Sequence, residues 1–150
     1  IGNNTLTLFQ KAKQLSDASA NGYRHVWIVY DTDDFPAEHI NKTAQLCVSE
    51  STDETTYHAI WSNQCIELSF LQADLHRSSY WPKLTEILSF QGLGSYEKNR
   101  MDMYQILYPY LDTAITNAEK LEKINTGKFP SDAAPGTQVH ILLKKLKSYL

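Results

Sequence analysis

Two cysteines, six glycines and five prolines in 150 residues leave several protein classes with little to build on. Cys47 and Cys65 stand in no CxxC, and both lie in apolar, helical or near-helical surroundings. Thiols so placed read as buried and free, which gives no support to a disulfide framework or a zinc site. His25, His39, His58 and His76 lack HxH or HxxxH spacing, so none is assigned to zinc. No apolar run approaches a membrane span and no signal-peptide pattern opens the chain. The expectation is a cytoplasmic protein with no membrane contact. P-loop, nucleophile elbow and dinucleotide fingerprint are all absent, which removes the ATPase, covalent-hydrolase and Rossmann readings. A net charge of −3 exerts no global pull on nucleic acid. Aromatic and basic residues do not interleave as a base-stacking platform would require.

What is present is an ordinary globular composition, 42% hydrophobic and 21% charged, long enough for one domain with a core. Its sharpest feature is Arg24 to Phe35, RHVWIVYDTDDF. The apolar run Val26 to Tyr30 ends abruptly in Asp31, Asp33 and Asp34. Such a run reads as a strand buried on both faces. Ligands of open α/β sheets bind at the carboxyl ends of their strands. In extended geometry Asp31 and Asp33 share a side and can converge on one cation. Hard oxygen donors of this kind suit Mg2+, or Mn2+ in its place. The bland alternative is a strand-to-helix turn in which Asp33 or Asp34 caps the next helix. Against it, one Asp suffices for a cap, and crowded carboxylates repel unless a cation lies between them.

Around this strand the periodicity predicts a helix from Asn3–Thr5 to about Asn21, and another opened by Pro36 with Ile40, Ala44 and Cys47 on its apolar face. A short strand is expected over Tyr57–Trp61. Helical patterns then cover Cys65–Ala73, Tyr80–Phe90 and Arg100–Ile124, the last broken or kinked at Pro109. Thr126–Thr137 reads as a loop. Val139–Leu150 reads as a closing helix with Val139, Leu142, Leu143 and Leu146 on one face. Alternating helix and strand argues an α/β fold with a parallel sheet, flanking helices and a helix-rich C-terminal part. The expected division is 1–73 for the α/β core and 74–150 for a helical extension packed on it. Two strands are few for a sheet carrying this much helix, and Ile1 is not Met; a further strand is expected upstream.

A second constellation follows the second strand, WSNQCIELSFL from Trp61. Ser62 and Asn63 can face the metal site as hydrogen-bonding groups. Glu67, about one helical turn on, can accept from a base or bind metal through water. In the bland reading Asn63 is an N-cap and Glu67 its capping partner. A buried Glu67 needs a counter-ion, which Lys98 or Arg100 can supply. His140 and Lys144 share a helical face and, with Lys98 and Arg100, can contact phosphate. His140 reads equally as a half-buried helix residue.

The order of VWIVYDTDDF, SNQCIELSFLQADLH, Tyr96-Glu97-Lys98 and Thr137-Gln138-Val139-His140 resembles the RloB-like family, a Toprim-related group of bacterial abortive-infection and anti-phage proteins. The resemblance runs from Val26 over nearly the whole remaining chain. Gln64, Ile66 and Ser69 depart from it where a proline, an aromatic and a tryptophan are expected, changes that touch packing more than chemistry. It implies a Toprim-like fold and a Mg2+- or Mn2+-dependent nuclease or nuclease subunit acting on DNA or RNA. Asp31 and Asp33 would hold the metal and Glu67 would join the catalytic set. Asn63, Lys98, His140 and Lys144 would contact substrate. Such proteins are usually encoded beside an ATPase, which would be the protein partner. The general acid/base glutamate of a Toprim site, expected after a first strand, has no counterpart ahead of the first helix. The only acidic residue before Asp31 is Asp17, within that helix. The alternative function is a non-catalytic sensor or interaction module for the ATPase.

Overall fold

The computed structural model describes residues 4–32, 35–63, 105, 108–134 and 136–149. Their elements run α1 (Thr5–Asp17), β1 (His25–Asp31), α2 (Ala37–Ser49), β2 (Thr56–Asn63), a 3-10 turn (Tyr108–Tyr110), α3 (Leu111–Asn125), a second 3-10 turn (Pro130–Asp132), β3 (Gly136–Thr137) and α4 (Val139–Lys147). The helical patterns at Cys65–Ala73, Tyr80–Phe90 and the start of Arg100–Ile124 lie outside the described residues.

α1 begins where Asn4 turns its side-chain oxygen to the Thr7 amide at 2.7 Å, satisfying an amide that the first turn leaves without a helical acceptor. It ends at Asp17, four residues before the expected Asn21. Gly22 is spent on the turn into β1, at a φ of +62° that a side chain would strain. β1 and β2 pair in parallel, His25 opposite Thr56 through to Asp31 opposite Ser62. The connection through α2 is the one a parallel pair requires. One face of this pair meets α1 and α2. Ile28 and Tyr30 from β1 and Tyr57 and Trp61 from β2 pack there with Phe9, Ile40 and Cys47. Burial pushes the Cys47 thiol up to about 11, so it is an inert core thiol rather than a nucleophile. The strand parity puts His25, Trp27, Val29 and Asp31 on the other face, beside His58, Ile60 and Ser62.

The α/β class expected from the sequence is the class observed, with one addition. β3 lies inside the stretch read as a loop and pairs antiparallel with the end of β2, Ser62 with Thr137 and Asn63 with Gly136. The sheet is therefore mixed, in the order β1–β2–β3. β2 is also longer than Tyr57–Trp61. Its extension to Asn63 is the part that β3 covers. Pro109 does interrupt the helical pattern, sitting in the 3-10 turn ahead of α3. α4 differs from expectation in what it buries. Its buried residue is His140, while Leu146 is 52% exposed.

Candidate functional site at the carboxyl end of the sheet

The ends of three strands form a cross-sheet row, Asp31–Ser62–Thr137. Backbone bonds close it: the Thr32 amide donates to the Ser62 carbonyl, and the Gln138 amide to the Trp61 carbonyl, each at 2.9 Å. Asp31 is exposed at the rim. Ser62 is 2% exposed, and its hydroxyl has no hydrogen-bond partner among the described residues. A buried hydroxyl left unmated costs about 1–3 kcal/mol, so an orphan beside a carboxylate marks a place for a water or ligand. Thr137 is engaged: its hydroxyl accepts from the Val139 amide at 3.2 Å and starts α4.

The segment that delivers Thr137 is held by side chains reaching its backbone. Asn125, at the end of α3, accepts from the Ala134 amide at 2.7 Å and donates to the Ala134 carbonyl at 3.1 Å. Asn63 donates to the Ala133 carbonyl. Asn41 of α2 grips Ser131 at both backbone and side chain. A Cβ at Gly136 would lie 3.2 Å from the Asn125 amide nitrogen and 3.4 Å from the Leu121 Cβ, so the close approach of β3 to α3 favours glycine there.

His140 completes the brace. It is 3% exposed; its Nδ1 lies 3.0 Å from the Thr137 carbonyl and its Nε2 3.0 Å from Glu122 Oε2 on α3. A carbonyl can only accept, so Nδ1 carries a proton and donates. Nε2 then faces the Glu122 carboxylate on α3. Two further pairs continue down the same helices: Lys144 to Glu119 at 2.6 Å and Lys147 to Asp112 at 2.7 Å. The hydrogen bond between them holds the Glu119 carboxyl below and the Lys144 ammonium above its ordinary value.

Of the residues singled out in the sequence, Asp31 stands at the sheet rim opposite Ser62, while Asn63, one residue further along β2 and so on the other face, is tied to Ala133. His140 lies behind Thr137, and Lys144 on the outer ladder between α3 and α4. Asp33, Glu67, Lys98 and Arg100 lie outside the described residues. Among the described residues no group of three His, Cys, Asp or Glu side chains could hold a metal ion. Asp31 with the orphaned Ser62 hydroxyl fits part of a Mg2+ shell, one carboxylate and a partner for a metal-bound water. Sequence reading missed Thr137 as a strand residue, together with Asn125 and Glu122 that support it. The turn-rich Thr126–Thr137 stretch carried no strand periodicity, since two residues are too few to show any.

No described helix is long and apolar enough to cross a membrane. The family model for RloB-like proteins matches residues 2–146. No curated protein and no solved structure matches the chain.

Proposed function

The chain belongs to the RloB-like protein family, and from that premise we propose that it is a Toprim-type, Mg2+- or Mn2+-dependent nuclease, or nuclease subunit, of a phage-defence system. The observation that supports the reading best is the carboxyl-edge row. A rim carboxylate, Asp31, stands beside a buried and unmated hydroxyl, Ser62, at the end of a parallel strand pair. Asp31 and Asp33 would hold the metal. When bound, the ion polarises the phosphodiester and supports the developing charge on its oxygens. Ser62 would orient a water in the metal's shell. Thr137 closes the row from β3, and His140 holds Thr137 in place through its carbonyl. Glu67 is proposed for the catalytic set, and Asn63, Lys98, His140 and Lys144 for the substrate side. The substrate is DNA or RNA, the site of action the cytoplasm, and the protein partner an ATPase of the same system.

One observation favours a second reading, a non-catalytic module that docks with the ATPase. His140 and Lys144, the described candidates for phosphate contact, are already engaged with Glu122 and Glu119. Thermal melting of the full-length protein with Mn2+ tests the metal assignment. At about ten times its dissociation constant Mn2+ adds roughly 1.4 kcal/mol of stability to a chain that binds it. Asp31→Asn and Asp33→Asn should lose that gain, and an equal response of all three proteins would remove the metal site. Nuclease assays on DNA and RNA, with and without the ATPase, then separate enzyme from module.

A further inference from the structure

At the opposite, amino end of the same strands lies a cluster that the proposed site does not use. The register places His25 beside Thr56 and Trp27 beside His58, all on one sheet face. The His25 Nδ1 and His58 Nε2 atoms face each other at 3.1 Å. Trp27 stacks on His58, with centroids 4.0 Å apart and planes 11° from parallel, which fixes the His58 ring. Both histidines are only partly buried. The separation from Asp31 is six residues of strand, roughly 20 Å at about 3.3 Å per residue.

We propose that His25 and His58 form a two-histidine site for a borderline divalent transition ion, Zn2+, Ni2+ or Cu2+, with waters in its remaining positions. Metal–nitrogen bonds of about 2.0–2.1 Å put two adjacent imidazole nitrogens about 2.9–3.4 Å apart, the range in which this pair already sits. Imidazole suits these ions, whereas the oxygen donors at the far end of the strands suit Mg2+ and Mn2+. Without metal the contact is a hydrogen bond, one ring carrying a proton on the facing nitrogen. On binding, that ring changes tautomer: the facing nitrogen gives its proton to solvent and the ring's far nitrogen takes one up, so both rings stay neutral and no net proton is released. Burial, then His25, then Lys145 of α4 all disfavour the His58 cation, so the ring presents a lone pair at neutral pH. Lys145 also opposes the incoming ion and tunes the site downward. The 33-residue gap hides the pair from any local spacing rule; only the parallel register brings it together.

Calorimetry with Zn2+ and Ni2+, and electron paramagnetic resonance with Cu2+, test the site on the full-length protein. The expected result is one site with coupling from two imidazole nitrogens. Affinity should fall at least tenfold in His25→Gln and in His58→Gln, hold in Asp31→Asn, and rise in Lys145→Gln. Circular dichroism and metal-free melting confirm that each variant folds. Should His58→Gln fail to fold, His25→Gln, at the strand's first residue, carries the test with Lys145→Gln. Coupling from a single nitrogen, or Zn2+ binding indifferent to His25→Gln, overturns the proposal.

Discussion

The two ends of the β1–β2 pair are built from the same register but by different means. At the carboxyl end the donors are oxygens, Asp31, Ser62 and Thr137, and a third strand crosses the row. That end is braced from behind by side chains that bind backbone: Asn63, Asn125 and His140. At the amino end the groups are aromatic, His25, Trp27 and His58, and they hold one another by stacking and one nitrogen–nitrogen contact. No third strand reaches that end among the described residues. The difference teaches where each end draws its rigidity. The carboxyl end is fixed by long-range polar contacts from α3 and α4, the amino end by its own rings. α4 bears on both, since Thr137 starts it and the charge of Lys145 near its end acts on His58.

Breaking the carboxyl brace should have the largest effect. His140→Ala removes a buried ring and two hydrogen bonds, one to a carboxylate, and opens a cavity behind Thr137. The expected loss is about 2–4 kcal/mol, read from urea unfolding. Hydrogen exchange should quicken at the Thr32 and Gln138 amides, which close the row, and stay unchanged at Tyr57. His140→Gln should recover part of the loss. Equal exchange at both ends would mean that α4 supports the whole sheet and that the two ends are not separately braced.

How much of this was legible before the fold was known follows from the range of each interaction. Strand β1 and its aspartates were legible because a continuous apolar run ending in charge is a local signal. The parallel pairing with β2 was legible from the helix between them. β3 was not, because Gly136 and Thr137 are fixed by Ser62 and Asn63 more than seventy residues earlier. For His140 the sequence offers a phosphate contact or a half-buried helix residue and not a brace, because nothing in the helix pattern of α4 announces Glu122, which lies on another helix. The leucines of α4 were expected to carry its packing; the ion pairs to α3 share that task, and Leu146 faces solvent. At the amino end the failure was of another kind. Histidine spacing was judged along the chain, while His25 and His58 meet across a ladder.

Acid should act on the amino end, with a smaller effect. Burial, then His25 and Lys145, lowers the His58 pKa in the fold. The unfolded chain takes up a proton from about 6.5 downward that the folded ring refuses. The contribution is whole above that value and lost as pH falls from it to the folded one. His58 is only partly buried, so solvent screening keeps the loss small. Melting at pH 7.5 and 5.5 should show a larger drop for the native chain than for His58→Gln. The same drop in both proteins would place the acid sensitivity elsewhere.

The smallest effect belongs to the ladder that joins the ends. Lys144 and Glu119 form a short pair, 2.6 Å, yet both are open to solvent, where screening and side-chain entropy cancel most of the attraction. Lys144→Ala should therefore leave the melting temperature within the error of its measurement, at low salt and at high. This near-silence makes the variant a clean probe of function. If Lys144 exchanges Glu119 for a phosphate, Lys144→Ala weakens nucleic-acid binding evenly across sequences and reduces the salt slope by about 1. If instead binding is untouched while pairing with the ATPase weakens, the ladder is a docking face. The carboxyl end would then have to draw its phosphate contacts from residues other than those on α4.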